Sequence, residues 1–197
     1  PFTPTKAILS PRSTVKFNLA SVAAALDALP GAIYTIANNH YEDFAEIVPP
    51  QQARADATVI GAHAGTPAVC TIGGREVVLV GLCFPATDPL RWREQGRIAI
   101  EAPRRALRRL EAARRRHADA ILIAVVHWGY EFSLSPFPAD RAWARRALEA
   151  GVDLVIGHHP HVIQPIERFG SKTVAYSLGN FYMPEGDYFG NRLDFDP

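Results

Sequence analysis

Two apolar runs, ILIAVV ahead of His127 and VDLVIG ahead of His158, each follow a stretch whose apolar residues recur at helical spacing. This alternation constrains the fold more than any other feature, because a helix joining two such runs makes them parallel neighbours in one sheet. The helices are expected over 103–117, with Leu107 and Leu110 inward and arginines outward, and over 139–150, where Gly151 supplies a left-handed cap. The strands are expected over 120–126, running into His127, and over 152–156, running into His158. The chain therefore reads as α/β, with a βαβ unit seen twice and a histidine at the strand's C-terminal edge each time. Open α/β sheets bind their ligands at that edge.

The flanking sequence extends the pattern. Residues 68–72 and 76–82 surround Gly73-Gly74, a two-residue turn between β-rich runs, and predict a β-hairpin embedded in the α/β order. Leu19, Val22, Leu26 and Leu29 share one helical face, and Pro30-Gly31 stops that helix. A short strand over 32–37 then delivers Asn38-Asn39-His40 to its C-terminal end, residues 42–56 hold one or two helical turns, and 58–60 returns as a strand. A further strand is expected over 174–178, and the polar tail from Met183 to Pro197 carries no assigned element.

Composition narrows the function classes. At 197 residues and 48% hydrophobic, the chain is one domain large enough to bury a core without a metal or disulfide staple. Its longest apolar runs are about six residues where a membrane helix needs ~20, and no early stretch reads as a signal peptide. Cys70 and Cys83 have no CxxC spacing and lie in strand-like runs, so they read as buried thiols. Net charge is only +1, which argues against nucleic acid as a partner. The balance is local, however: ten arginines between Arg91 and Arg116 face only Glu94, Glu101 and Glu111. That surplus attracts polyanions or marks a solvated helix face. With Trp92 the sole interleaved aromatic, base stacking has little support.

Five of the seven histidines, His40, His127, His158, His159 and His161, fall just past a predicted strand, so a twisted sheet gathers them along one edge. In His159-Pro160-His161 the proline stiffens a loop that aims alternate imidazoles at one point. Neutral imidazole suits zinc, iron, manganese or nickel, and Asn39 adds an amide oxygen. A satisfied structural polar cluster is the competing reading of the same residues. His63 reads as a loop residue and His117 as a complement to a helix dipole.

IANNHYEDF (36–44), HWGYEF (127–132), GVDLVIGHHPHVIQPIE (151–167) and VAYSLGNF (174–181) together resemble the bacterial capsule-synthesis CapA family, part of the calcineurin-like metallophosphatase superfamily. The resemblance implies a four-layer αββα metallophosphatase-like sandwich with mixed sheets, here a single domain over 1–197 that lacks its N-terminal strands. It implies Asn39, His127, His159 and His161 as metal ligands, the last two serving one metal each. His40 would contact the scissile bond or protonate a leaving group, and Asp43 would orient it. Glu131, Asn180 and His158 would be substrate contacts, with His158 ranked below its neighbours because it occupies the position of a glycine.

The implied cofactors are two divalent ions (manganese, iron or zinc), and the implied substrate is a phosphoester or a polyglutamate-type bond. The implied partners are an anionic polymer and other capsule-synthesis proteins, with the cell envelope as the implied location and the cytoplasm as the alternative. The family's GD and NLE motifs, which supply carboxylate ligands, are absent, and Pro1-Phe2-Thr3 resembles the residues that come directly after NLE in family members. The sequence is thus expected to begin just after the second motif, or to belong to a divergent member using one metal or none. Two other functions fit the residues: a non-catalytic polyanion-binding assembly factor, and a metal-independent peptide epimerase using His40 or His161 as acid/base.

Overall fold

A computed structural model describes residues 33–35, 58–61, 67–84, 101–180, 187–188 and 191–192. The chain divides into two compact units, Pro30–Phe181 and a second made of Pro1–Leu29 with Tyr182–Pro197. In the second unit the described residues form a small antiparallel ladder of two strands, Asp187–Tyr188 and Asn191–Arg192, within the tail to which sequence assigned nothing.

The larger unit is built on a six-stranded sheet. In chain order its strands, following β1 (Ile33–Thr35) and β2 (Thr58–Ile60), are β3 (Ala68–Ile72), β4 (Arg75–Cys83), β5 (Ile121–His127), β6 (Leu154–His158), β7 (Ile166–Phe169) and β8 (Lys172–Ala175). The spatial order is β3-β4-β5-β6-β8-β7. Strands β4, β5, β6 and β8 are parallel, and β3 and β7 add antiparallel edges. Helix α1 (Pro103–Arg116) crosses from β4 to β5, and α2 (Pro138–Glu149) crosses from β5 to β6. The two βαβ units expected from the apolar runs are both present. The expected hairpin is present too, with Gly73 and Gly74 at φ +57° and +76°, the left-handed pair that a tight two-residue turn requires.

Alternation divides the sheet's side chains between two faces. On one face Val78, Val80, Leu82, Leu122, Ala124, Val126, Val155 and Val174 pack against Ala106, Leu107 and Leu110 of α1 and Trp143, Ala144 and Ala147 of α2. On the other, Val77, Leu79, Ile121, Ile123 and Val125 pack with Ile60 of β2 and Ile33 of β1, two strands that pair in parallel with each other. The β5 and β6 ends thus project residues alternately toward the helices and away from them.

Beyond one-residue shifts at element ends, β6, β7 and β8 differ from expectation. Strand β6 starts two residues late because Gly151 N–H donates to Leu148 O (3.1 Å) and Val152 N–H to Ala147 O (3.0 Å), closing α2 before the strand begins. Strand β8 covers 172–175 rather than 174–178, and its antiparallel partner β7 was not expected. Leu178 instead makes an isolated bridge to Ile163.

The arginine-rich helix is only partly a solvated face. Arg114 donates to the carbonyls of His117, Ala118, Ala120 and Gly151 at 2.8–3.0 Å, and to Asp153 Oδ2 at 2.6 Å. Asp153 Oδ2 also accepts the Leu122 N–H (2.8 Å), so one ion pair ties the end of α1 to the starts of β5 and β6. Arg109 pairs with buried Glu101, whereas Arg104, Arg105, Arg108, Arg115 and Arg116 are exposed. The thiol of Cys83 is buried, as the strand placement implied, and that burial pushes its pKa up to about 12, whereas Cys70, also expected to be buried, is only half-buried on edge strand β3.

Gly157 marks the tightest approach in the sheet. A Cβ built there would lie 1.9 Å from Tyr176 O and 2.4 Å from Trp128 Nε1, whose N–H donates to that same carbonyl at 2.9 Å. Because the obstacle is backbone plus a buried indole, Gly157→Ala is expected to cost at least ~3 kcal/mol. At about 2–4 °C per kcal/mol for a chain of this size, thermal unfolding should show a fall in Tm of at least ~6 °C, and an unchanged Tm would refute the close approach. Arg114→Met should cost ~2–3 kcal/mol in urea denaturation, since charged hydrogen bonds to several acceptors are lost together. The matching Arg115→Met, at an exposed neighbour, should stay within about 0.5 kcal/mol.

Candidate metal centre

Strand register assembles the first part of the site. His127 and His158 are partners across the parallel β5–β6 pair, and both point to the face away from the helices. Their Nδ1 atoms are 3.3 Å apart, a contact in which one ring donates and the other accepts. His158 Nε2 is fully enclosed and makes no hydrogen bond among the described residues. Burial first, and then the neighbouring His159 and His161, push the His158 pKa down to about 4, so this ring is neutral at ordinary pH.

Two loops add the rest. The loop after β6 brings the ring of His159 to 4.3 Å from His127 and 6.2 Å from His161, centroid to centroid. Pro160 between them is buried, and its carbonyl accepts the Phe132 N–H at 2.8 Å, which ties this loop to the one after β5. His159 (φ +101°), His161 (φ +63°) and Phe132 (φ +60°) are the non-glycine residues with positive φ among the described residues, and all three lie in these two loops. Side chains with a Cβ adopt that region at a cost of ~1–3 kcal/mol each, and such residues cluster where a ligand is held.

His161 Nδ1 lies 2.8 Å from Asn180 Oδ1. An amide oxygen only accepts, so Nδ1 carries the proton and Nε2 presents its lone pair outward, the orientation a metal-binding imidazole needs. Glu131 completes the group: its carboxylate oxygen and the ligand nitrogens of His159 and His161 all lie within 4.8 Å of one another. Bonds of about 2.0–2.2 Å from a zinc-like ion to nitrogen and oxygen suit a set this close. The donors, two or more imidazoles and a carboxylate, are those that transition-metal dications prefer. The residues present therefore fit a metal.

Of the residues singled out in the sequence, the structure brings His127, His158, His159, His161, Glu131 and Asn180 together. Asn39, His40 and Asp43 lie outside the described residues, as does His63. His117 sits at the C-cap of α1 and contacts Glu76 on β4 through Nδ1 at 2.8 Å. Sequence reading missed Gln164, which is buried. Its N–H donates to Ser177 O (3.0 Å) and its Nε2 to Ser133 O (2.7 Å), joining the chain before β7 to the segments after β8 and β5. The signal available was a long polar side chain inside the apolar VIQPI run.

A family model described as bacterial capsule synthesis protein PGA_cap matches residues 3–185. The chain is 43% identical over 72 residues to the PGA biosynthesis protein CapA of Bacillus subtilis, covering 36% of this chain and 19% of that protein. It is 30% identical over 175 residues to a Mycobacterium tuberculosis protein named as a probable polyglutamine synthesis accessory protein, covering 79% of this chain and 46% of that one. The chain thus spans less than half the length of these curated relatives. Among solved structures it is similar to a Staphylococcus aureus chain named as a putative 5′-nucleotidase, solved with alpha-ketoglutarate. That match has a TM-score of 0.53 at 19% identity, covering 81% of this chain and 34% of the other. The architecture is accordingly the metallophosphatase-like α/β fold with a mixed sheet that the motifs implied. No helix among the described residues is long and apolar enough to cross a membrane. The match over residues 3–185 and the motif-bearing loops agree: the chain belongs to the PGA_cap family of bacterial capsule synthesis proteins.

Proposed function

We propose that this chain carries the metal-binding edge of a hydrolase that acts on a phosphoester or polyglutamate-type bond during capsule or poly-γ-glutamate synthesis. The observation that carries the reading is the convergence of His127, His159, His161 and Glu131 at the C-terminal edge of β5 and β6, on loops held in left-handed backbone. An ordinary satisfied polar cluster gives no reason for strain at both histidines of a His-Pro-His turn.

In this reading His127, His159 and His161 hold the metal, with Asn39 as a further ligand as the family resemblance implies. A bound dication supplies a water of lowered pKa and offsets negative charge that develops on the substrate. Asn180 fixes the His161 ring so that Nε2 faces the site. The buried His127–His158 pair holds the floor rigid, and neutral His158 adds no positive charge that would repel a cation. Exposed Tyr130 and Phe132 form an apolar rim, with the Phe132 ring 6.0 Å from His161. As the family resemblance implies, His40, with Asp43 to orient it, would deliver the proton to the leaving group. An anionic polymer at the cell envelope is the proposed substrate context, with other capsule-synthesis proteins as partners.

The test uses the full-length protein. Metal content should be stoichiometric, and turnover of a generic phosphodiester or of poly-γ-glutamate should fall at least ~100-fold in His159→Ala along with the metal. A metal-free wild type with activity unchanged in His159→Ala would sink the reading. Polymer binding without turnover in the metal-loaded protein would replace it with an accessory, non-hydrolytic role.

A further inference from the structure

The family resemblance puts Glu131 at the rim as a substrate contact, but the geometry points elsewhere. We infer that Glu131 is a further metal ligand, adding a carboxylate to the imidazoles of His159 and His161; this rests on the metal reading above.

Backbone geometry sets the position of Glu131. After β5 the chain turns at Gly129 (φ +76°) and again at Phe132 (φ +60°), and Phe132 N–H is fastened to Pro160 O at 2.8 Å. Glu131 is therefore carried between two fixed points and set against the His-Pro-His loop from outside. Its carboxylate reaches the ligand nitrogens of both histidines within the 4.8 Å spread of the group. It is exposed and makes no ion pair or hydrogen bond among the described residues, so no other described contact accounts for its position.

Charge supports the same assignment. An imidazole that binds a metal does so as a neutral donor, so histidines alone leave the full charge of a dication uncompensated, whereas a carboxylate within bonding distance offsets half of it. Imidazoles joined by a carboxylate are the donor types of catalytic zinc and of non-haem iron centres. The carboxylate comes from the HWGYE segment itself and does not depend on any motif upstream of Pro1.

The experiment titrates the full-length protein with Co2+ and follows visible absorption and the dissociation constant. Glu131→Gln, which keeps the shape and removes the charge, should weaken Co2+ binding at least about 10-fold, while Glu111→Gln on the exposed face of α1 should leave it unchanged. Glu131→Cys should add a thiolate-to-cobalt charge-transfer band absent from the wild type, whose Cys70 and Cys83 serve as the internal blank. The assignment stands only if both results are obtained. Unchanged affinity in Glu131→Gln with no new band in Glu131→Cys, while His159→Ala abolishes binding, overturns the Glu131 assignment and leaves the metal reading intact. A wild type that binds no Co2+ overturns both.

Discussion

The contact among Gly157, Trp128 and Tyr176 is the constraint on which the rest of the site depends. Trp128 stacks on Tyr176 (centroids 5.9 Å, interplanar 22°) and donates to its carbonyl through the space a Gly157 side chain would fill. This holds the ends of β5, β6 and the segment after β8 at one fixed spacing on the helix side. Because strand side chains alternate, anchoring Trp128 toward the helices sends His127 to the opposite face. Placing Gly157 toward the helices likewise sends His158 to join it. The pairing of the two imidazoles is therefore a consequence of apolar packing on the other side of the sheet.

That rigid edge is what the loops work against. Left-handed backbone at Phe132, His159 and His161 is unfavourable, and it persists only where surrounding contacts over-determine it. Buried Pro160 and Gln164 supply those contacts, the first through its carbonyl to Phe132 N–H, the second by reaching both Ser133 and Ser177. Glu167 adds support farther out: it pairs with Arg141 of α2 and accepts the Tyr176 hydroxyl at 3.0 Å. Each anchor lies within or beside a strand end, so the strain is borne by contacts to the sheet.

The parts that were legible in the sequence are those set by local pattern. Residues 121–127 and 154–158 announce themselves as apolar runs ending in histidine, and Gly73-Gly74 announces its own turn. Strand β7 escaped because IERF alternates exposed and half-buried residues, a weak signal on an edge strand, and comes directly after Pro165. The extension of β8 to Leu178 failed because Pro165, opposite Tyr176, has no N–H to carry the ladder on, although Tyr176 N–H still donates to Pro165 O (3.2 Å) and Leu178 bridges Ile163. Arg114 was hidden among ten arginines because its distinguishing partners, Gly151 and Asp153, lie 37 and 39 residues away. The histidine set was visible in the sequence, yet which rings meet depends on register, and the proximity of Glu131 depends on positive φ at Phe132, a residue type that gives no hint of it.

This division explains where specificity is built. Sheet register alone brings together neutral imidazoles, which many dications accept and none strictly requires. Charge has to come from outside the strands, since a carboxylate buried between β5 and β6 without a metal would cost several kcal/mol. The loop after β5 resolves the conflict by holding Trp128, which anchors the sheet, and the exposed carboxylate of Glu131 only three residues apart. Folding and charge supply are thereby carried by one short segment, HWGYE, without a buried uncompensated carboxylate. Beside it, Tyr130 and Phe132 stay exposed, with Tyr130 edge-on to Phe137 at 4.8 Å.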